Sequence, residues 1–138
     1  MSAQQSSLEK LVAAAHVARE RAYIPYSGFA VGAAVLTASG QVFYGCNIEN
    51  AAYPSTVCAE RVALFSAYAA GEREIAALAV VADTAGPVSP CGTCRQVIAE
   101  LAPRAAIALG NIAGDVQLTS AAELLPGAFT PESLPARG

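Results

Sequence analysis

The sequence predicts an α/β fold, a three-layer α/β/α sandwich around a mixed five-stranded sheet. Hydrophobic periodicity alternates between helical and extended segments in the order α, β, β, α, β, α, β, β, α. The segment 75–82 is almost wholly apolar and rich in valine, as expected of a strand covered on both faces. The chain has 138 residues, 54% of them hydrophobic, which is enough for one domain with a substantial core. We therefore expect a single domain over residues 1–138.

Capping and turn residues set the boundaries of the predicted elements. In chain order these are helix 7–22, strands 29–36 and 41–46, helix 58–70, strand 75–82, helix 91–101, strands 105–109 and 115–118, and helix 121–125. Ser6 and Ser7 are candidate N-caps of the first helix, and Pro25 closes it. Ser39-Gly40 is typical of a hairpin turn between the first two strands, and Gly71 stops the second helix.

The remaining segments are predicted to be loops. The polar segment 47–56 contains Pro54, and the segment 83–90 carries a glycine and two prolines. The third helix should end before Pro103, because a residue that precedes proline disfavours the helical conformation. The Pro- and Gly-bearing end after Leu125 is the only candidate tail.

Charge and hydropathy exclude several classes of partner. Eight Lys and Arg against eleven Asp and Glu give a net charge of −3, and no segment collects basic residues, so a nucleic-acid surface is not expected. The apolar stretch 11–18 lacks the basic start and cleavage pattern of a signal peptide, and no run reaches the roughly 18 apolar residues of a membrane span. We expect a soluble cytoplasmic protein that acts on a small molecule.

Three of the four cysteines form the most informative pattern in the chain. Cys58 stands in C-A-E, and about one βα unit later Cys91 and Cys94 stand in P-C-G-T-C. A reducing compartment and a large core favour thiols or metal ligands over disulfides. Three protein ligands leave the fourth tetrahedral position of zinc open, which distinguishes catalytic from structural zinc. The pattern predicts one zinc ion that holds a reactive water.

Glu60 follows the first ligand by two residues and is the predicted general base. It lies on the first turn of the same helix, so its carboxylate can reach a metal-bound water without displacing a ligand. Zinc lowers the pKa of that water towards about 7, and a carboxylate can accept the proton and return it to a leaving group. Taken alone, Glu60 is better explained as a solvated residue at a helix N-terminus, where acidic residues are favoured, and Cys91-x-x-Cys94 also serves structural zinc and redox pairs.

Four motifs together resemble the small homotetrameric cytidine deaminases: C-A-E, P-C-G-T-C-R-Q, the upstream G-C-N-I-E-N and the terminal L-L-P-G-A-F, with matches spanning residues 25–129. Zinc nucleobase deaminases hold the metal with His/Cys/Cys or three cysteines beside a non-ligand glutamate. The resemblance implies hydrolysis of cytidine and 2′-deoxycytidine to the uridine products with release of ammonia, in pyrimidine salvage. Zinc-bound hydroxide would attack C4, with one zinc per subunit of a homotetramer whose active sites are shared.

The resemblance also implies substrate contacts. Residues matching Asn47 and Glu49 bind the ribose hydroxyls, and positions two apart on an extended segment do point to one side. By resemblance, Phe29 packs at the nucleoside, the Ala59 backbone helps to bind the base that Glu60 contacts at N3, and Phe129 covers the pyrimidine in a neighbouring subunit. The other interpretations are loop capping for Asn47, a core position for Phe29, and for Phe129 an anchor of the tail on its own domain.

The residues beside the metal ligands also have expected roles, some of them with an alternative interpretation. Three thiolates on Zn²⁺ leave a net charge of −1, which opposes proton loss from the bound water, so a nearby cation is expected. By resemblance Arg61 donates hydrogen bonds to ligand sulfurs; otherwise it is a solvated helix residue. Gln96 matches a family position behind the ligands, whereas Arg95 is expected only to face solvent. Cys46 is expected to be a buried apolar residue, and His16 a surface or helix-packing residue.

Two other functions remain compatible with parts of this pattern. A zinc aminohydrolase of the blasticidin S deaminase type shares C-A-E and P-C-x-x-C, but it lacks the N-x-E-N motif present here at 47–50. A structural zinc module that mediates protein association would make Glu60 incidental. Turnover of cytidine separates the enzyme from the structural module.

Overall fold

The computed structural model describes residues 3–136, so residues 1–2 and 137–138 of the expected single domain lie outside the described residues. Its helices are α1 Ala3–Arg19, α2 Ala59–Ala69, α3 Gly92–Leu101 and α4 Ala121–Leu124. Its strands are β1 Val31–Thr37, β2 Val42–Cys46, β3 Ile75–Ala82, β4 Ala106–Asn111 and β5 Val116–Thr119. Short 3₁₀ turns lie at Tyr53–Ser55 and Pro131–Ser133. In this range no helix is both long enough and apolar enough to cross a membrane.

The five strands form one mixed sheet in the order β2-β1-β3-β4-β5. Strands β3 and β4 are parallel, and the other neighbours are antiparallel. A parallel pair needs a crossover connection, which α3 supplies here. Since β1 runs against both β2 and β3, the strands β2, β3 and β4 all point the same way. Consequently α2, which follows β2, and α3, which follows β3, both begin at the same edge of the sheet.

Helices cover both faces of the sheet, which confirms the predicted three-layer α/β fold. On β1, Ala33 and Val35 pack in the cluster with α2, α3 and α4, while Ala34 packs in the cluster with α1. Strand β3 contributes to both clusters and is buried nearly throughout, as its apolar sequence predicts. Half of the buried hydrophobic residues are alanines, so the layers meet through small side chains.

The limits of the first helix differ from the prediction. Helix α1 begins at Ala3 and ends at Arg19 rather than running over 7–22, so Ser6 and Ser7 lie inside it instead of capping it. The early end has a long-range cause, because the Tyr23 amide donates to the Asn47 carbonyl at 3.0 Å. Residues 20–22 continue as a turn bonded to residues 17–19, and the pairing then holds Tyr23 in an extended bridge beside Ile48. The other helices and strands agree with the prediction within two residues at each end.

Gly45 on β2 sets how closely α2 approaches the sheet. A Cβ atom built at Gly45 would lie 2.3 Å from the Ala59 carbonyl oxygen and 2.6 Å from the Ala63 nitrogen. Only glycine therefore lets the first turn of α2 rest directly on the strand backbone. That turn carries Cys58 as its N-cap and Glu60 as its second residue, so the contact fixes two predicted site residues against the sheet.

We predict that Gly45→Ala displaces the first turn of α2 and destabilises the protein. The added methyl meets backbone rather than a flexible side chain, so the expected loss in unfolding free energy is about 1–3 kcal/mol. Gly86→Ala is the matched control, because a Cβ at Gly86 meets no atom within 4 Å. Denaturant unfolding and bound-metal content of both variants provide the measurement. Equal stability of the two variants would contradict the close-approach argument.

Candidate active site

The three predicted thiol ligands meet at one point between two helices. Cys58 is the N-cap of α2, Cys91 is the N-cap of α3, and Cys94 lies in the first turn of α3. Their sulfur atoms lie within 4.8 Å of one another, with 3.9 Å between Cys58 and Cys91. Neither N-cap sulfur accepts a capping hydrogen bond from its own helix, so both are directed to the cluster. All four cysteines of the chain are free thiols.

The donor set fits one zinc ion. Tetrahedral zinc with Zn–S bonds of about 2.3 Å separates its sulfur ligands by about 3.8 Å, close to the Cys58–Cys91 distance of 3.9 Å. Three sulfurs leave one position for a non-protein ligand. Cys94 is buried, whereas Cys91 is exposed, so the cluster can be reached from solvent on the Cys91 side. The expectation of one zinc per subunit agrees with this geometry.

Hydrogen bonds and charge prepare Cys58 to bind a metal as the thiolate. Hydrogen bonding from the Cys94 thiol, together with the Arg61 guanidinium and against the effect of burial, lowers the pKa of Cys58 to about 5. The same contact, with burial, raises the pKa of Cys94. The positive ends of two helices add to the stabilisation of negative charge at this point.

Arg61 is the cation beside the cluster. Its Nη2 donates to the Cys58 sulfur at 3.4 Å, and this contact raises the pKa of the guanidinium. Its Nε is buried and finds no hydrogen-bond partner among residues 3–136. A solvated helix arginine would not be held in this way, so the geometry favours the role beside the ligands.

Glu60 is buried next to the thiols. Only 4% of the residue is exposed, and burial followed by the negative charge of Cys58 raises the pKa of its carboxyl. The alternative of a solvated glutamate at the helix N-terminus therefore disagrees with its position. A buried carboxyl with a raised pKa beside a metal-binding cluster can hold a proton in one step and release it in another.

Asn47 and Glu49 lie at the same edge of the sheet as the thiol cluster. The intervening Ile48 pairs through its backbone with Tyr23 on one side and Val57 on the other. Because Val57 directly precedes Cys58, this pairing fixes the position of the polar pair relative to the cluster. Both polar residues are at least nine-tenths buried, whereas Ile48 is 44% exposed, in agreement with the alternation argued from their spacing.

Both polar side chains also organise the loop before β1. Asn47 accepts a hydrogen bond from the Val31 amide at 2.9 Å and donates one to the Phe29 carbonyl at 2.7 Å. Glu49 accepts hydrogen bonds from the amides of residues 26 and 27 and from the Ser27 hydroxyl. The Ser27 hydroxyl is the main cause that lowers the pKa of Glu49. Sequence reasoning missed Ser27, since the contact spans 22 residues and leaves no local pattern.

Both phenylalanines assigned to the pocket have exposed rings. Phe29 is 42% exposed, so the core interpretation is wrong for it. Phe129 is 60% exposed, and the Gln96 side chain donates to its backbone carbonyl at 2.8 Å. Its ring therefore does not anchor the tail on its own chain. Ala59, by contrast, is fully buried as the first residue of α2.

The expectations for Arg95 and Cys46 need correction, that for His16 agrees with the structure, and that for the end after Leu125 needs completion. Arg95 does not merely face solvent: it is half-buried and donates hydrogen bonds to three different residues. Cys46 is half-buried rather than buried, and burial raises its pKa. His16 is half-buried on α1, in agreement with a helix-packing position. The end after Leu125 includes a 3₁₀ turn with a capping box between Thr130 and Ser133.

We predict one zinc per chain, lost in mild acid or on strong chelation because protons and chelator compete for the thiolates. Elemental analysis before and after dialysis measures this. Cys91→Ser should lose stoichiometric zinc, whereas Cys46→Ser, which changes a thiol outside the cluster, should retain it. Two zinc ions per chain, or none in active protein, would defeat the site as described.

Comparisons with known proteins identify the family. The family described as "Cytidine and deoxycytidylate deaminase zinc-binding region" matches residues 5–109. A cytidine deaminase of Sporosarcina psychrophila is 57% identical over 128 residues, covering 92% of this chain and 94% of that protein. Among solved structures, cytidine deaminase from Burkholderia pseudomallei superposes with a TM-score of 0.86 at 55% identity, covering 94% of this chain and all of that one. The enzyme from Mycobacterium tuberculosis superposes with a TM-score of 0.76 at 37% identity, covering 88% and 96%. The chain with the three-thiol cluster and the buried Glu60 thus belongs to the cytidine and deoxycytidylate deaminase family.

Proposed function

We propose that this protein is a zinc-dependent cytidine deaminase that converts cytidine and 2′-deoxycytidine to uridine and 2′-deoxyuridine with release of ammonia. The observation that carries the proposal is the buried Glu60 carboxyl beside three thiols that can hold one zinc. The relatives at 57% identity, named cytidine deaminases, support the same reaction. Such hydrolysis would serve pyrimidine salvage, in the cytoplasm expected from the sequence.

The reaction requires a group that moves protons, and Glu60 is that group. Hydrolysis adds the oxygen of water to C4 of the pyrimidine and expels the 4-amino group as ammonia. Zinc, when held by Cys58, Cys91 and Cys94, supplies Lewis-acid activation of the water. Glu60 accepts one proton from the water and passes it to N3, then accepts the second proton from the hydroxyl now on C4 and delivers it to the departing amine. Such assistance typically contributes about 10² to 10⁴ in rate.

Arg61 lowers the electrostatic cost of an all-thiolate donor set. Three thiolates with Zn²⁺ carry a net charge of −1, which disfavours proton loss from a water nearby. The guanidinium donates to the Cys58 sulfur and so withdraws negative charge from that ligand. The N-termini of α2 and α3 act in the same direction.

The polar pair at the sheet edge is proposed to bind the ribose. Asn47 uses one amide hydrogen on the Phe29 carbonyl, so a second remains for a hydroxyl. Glu49 accepts three hydrogen bonds from the loop, which leaves acceptor capacity for a further donor. Phe29 would pack against the nucleoside, and the backbone of Ala59 would contact the base. The hydrogen bonds to the loop thus hold Asn47 and Glu49 in place and still leave both side chains able to bind the ribose hydroxyls.

A homotetramer with shared active sites is the proposed assembly, as the resemblance implies. It is supported by exposed aromatic rings: Phe29, Phe129, and the edge-to-face pair Tyr26 and Tyr53, whose centroids lie 5.4 Å apart. Large exposed apolar groups of this kind mark interaction surfaces. Phe129 would enter the pocket of a neighbouring subunit and cover the pyrimidine.

We predict that ammonia is released from cytidine and 2′-deoxycytidine but scarcely from cytosine or blasticidin S. Without a sugar, the second amide hydrogen of the buried Asn47 and the remaining acceptor capacity of Glu49 would have no partner in the complex, at a cost of about 1–3 kcal/mol each. Initial rates of ammonia formation with the four compounds provide the test. Comparable kcat/KM for cytosine and cytidine would refute the ribose assignment, and turnover of blasticidin S alone would favour that type of aminohydrolase.

We predict that Glu60→Gln lowers kcat for cytidine by at least about 10² while zinc stays bound, because the amide keeps the size but cannot accept the proton. Glu9→Gln, the same change at an exposed position on α1, is the matched control and should leave kcat unchanged. A Glu60→Gln variant with near wild-type turnover would remove this residue from the mechanism and revive the structural zinc module.

We predict that mixing Glu60→Gln subunits with Phe129→Ala subunits restores part of the activity that each variant lacks. If sites are shared, some mixed sites combine an intact Glu60 from one chain with an intact Phe129 from another. Both parents are co-refolded, native mass spectrometry confirms mixed oligomers, and cytidine turnover is then measured. Mixed oligomers that stay at the activity of the separate parents would place Phe129 in the site of its own subunit.

A further inference from the structure

Arg95 connects three separate parts of the chain through one guanidinium group. Its Nε donates to the Pro90 carbonyl at 2.8 Å, and its Nη2 donates to the Ser89 hydroxyl at 2.7 Å. Its Nη1 donates to the Leu124 carbonyl at 2.7 Å, across 29 residues. The side chain itself stands on the first turn of α3, directly after the buried Cys94. It therefore joins α3 to the segment before Cys91 and to the end of α4.

Two of these bonds bear on the position of Cys91. The Pro90 carbonyl belongs to the peptide that enters Cys91, so a bond to that oxygen orients the peptide plane before the ligand. Cys91 is the exposed member of the cluster, while Cys94 is fully buried in the core. An exposed ligand is not held by core packing, so its position depends on hydrogen bonds to the adjoining backbone.

The third bond bears on the C-terminal segment 124–129. The Leu124 carbonyl lies at the end of a four-residue helix, where carbonyl groups lack helical partners and a cation is favourable. The next residue of α3, Gln96, holds the far end of the segment through the Phe129 carbonyl. Adjacent residues of α3 thus hold both ends of the segment that carries the exposed Phe129 ring.

We propose that Arg95 is a positioning residue that holds Cys91 and the segment 124–129 in fixed relation to the first turn of α3. The inference rests on the proposed function for the identity of the metal and of the nucleoside. Its consequence is that one side chain controls both retention of zinc through Cys91 and binding of the nucleoside through Phe129. A planar guanidinium supplies three donors in fixed directions, which the single ammonium of lysine cannot reproduce.

The test measures zinc release from the purified holoenzyme to an excess of a chromophoric chelator, together with KM and kcat for cytidine. For R95Q, we expect zinc release to be faster by about 10-fold or more, as for other residues that orient metal ligands. We expect KM to rise by about 5-fold, the equivalent of one ordinary hydrogen bond. R95K should restore neither property fully, because it keeps the charge but loses the three-way geometry.

Three further variants separate positioning from general stability. Arg73→Gln is the matched control, because Arg73 also donates to a backbone carbonyl, that of Tyr68, but lies outside the cluster and the C-terminal segment. It should leave zinc release and KM unchanged. Ser89→Ala removes one bond on the Cys91 side and should speed zinc release with little change in KM. Gln96→Leu removes the bond to the Phe129 carbonyl and should raise KM.

The proposal is overturned if R95Q releases zinc as slowly as Arg73→Gln, or if it lowers only the melting temperature. If R95Q does not yield folded protein, R95K and Ser89→Ala carry the test, and wild-type zinc release in both would overturn the proposal. The wild-type protein is measured first. Zinc retention without cytidine turnover would refute the proposed function, while zinc release would still test the role of Arg95 at Cys91.

Discussion

Three thiols and a carboxyl that lie close together repel one another once they are ionised. The other groups of the site compensate for this repulsion. Hydrogen bonding lowers the pKa of Cys58, whereas hydrogen bonding with Cys58 and burial raise the pKa of Cys94, and burial with the negative charge of Cys58 raises the pKa of Glu60. The ends of two helices and the guanidinium of Arg61 supply the compensating positive potential. A divalent cation held by the three sulfurs would complete the charge balance, so the features that raise the energy of the cluster without metal also favour metal binding.

Sheet topology brings these groups together from two separate segments of the chain, the first turns of α2 and α3. Strands β2 and β3 point the same way, so the helices that follow them begin at one edge, where β1 also enters from the loop of Phe29. Open α/β sheets bind ligands at the carboxyl ends of their parallel strands for the same geometric reason. Gly45 then sets the depth of α2 against the sheet, and the crossover between β3 and β4 places α3 beside it.

Features with a local pattern were predictable from the sequence, and features made by long-range backbone pairing were not. The apolar run of β3, the alternation around Asn47 and Glu49, and each of the two cysteine motifs belong to short windows, and the structure places them as expected. The meeting of the two motifs, 33 residues apart, was expected from the ligand chemistry of zinc rather than from a local pattern. The end of α1 depends on pairing between Tyr23 and the segment after β2, so periodicity within α1 could not locate it. Arg95 shows the same limit, because its acceptor at Leu124 lies 29 residues away.

The alanine-rich contacts between helices and sheet also determine how the protein tolerates mutation. Positions such as Ala34, Ala63 and Ala79 are fully buried yet carry a single methyl group, so truncation there removes little apolar contact. A larger side chain at these positions is strongly destabilising, because protein interiors are close-packed and the added methylenes must move a whole helix away from the strands. Substitutions that add volume at these alanines should therefore harm the protein more than substitutions that remove it. At the positions closest to β2, the added volume would displace the first turn of α2 and so reduce catalysis.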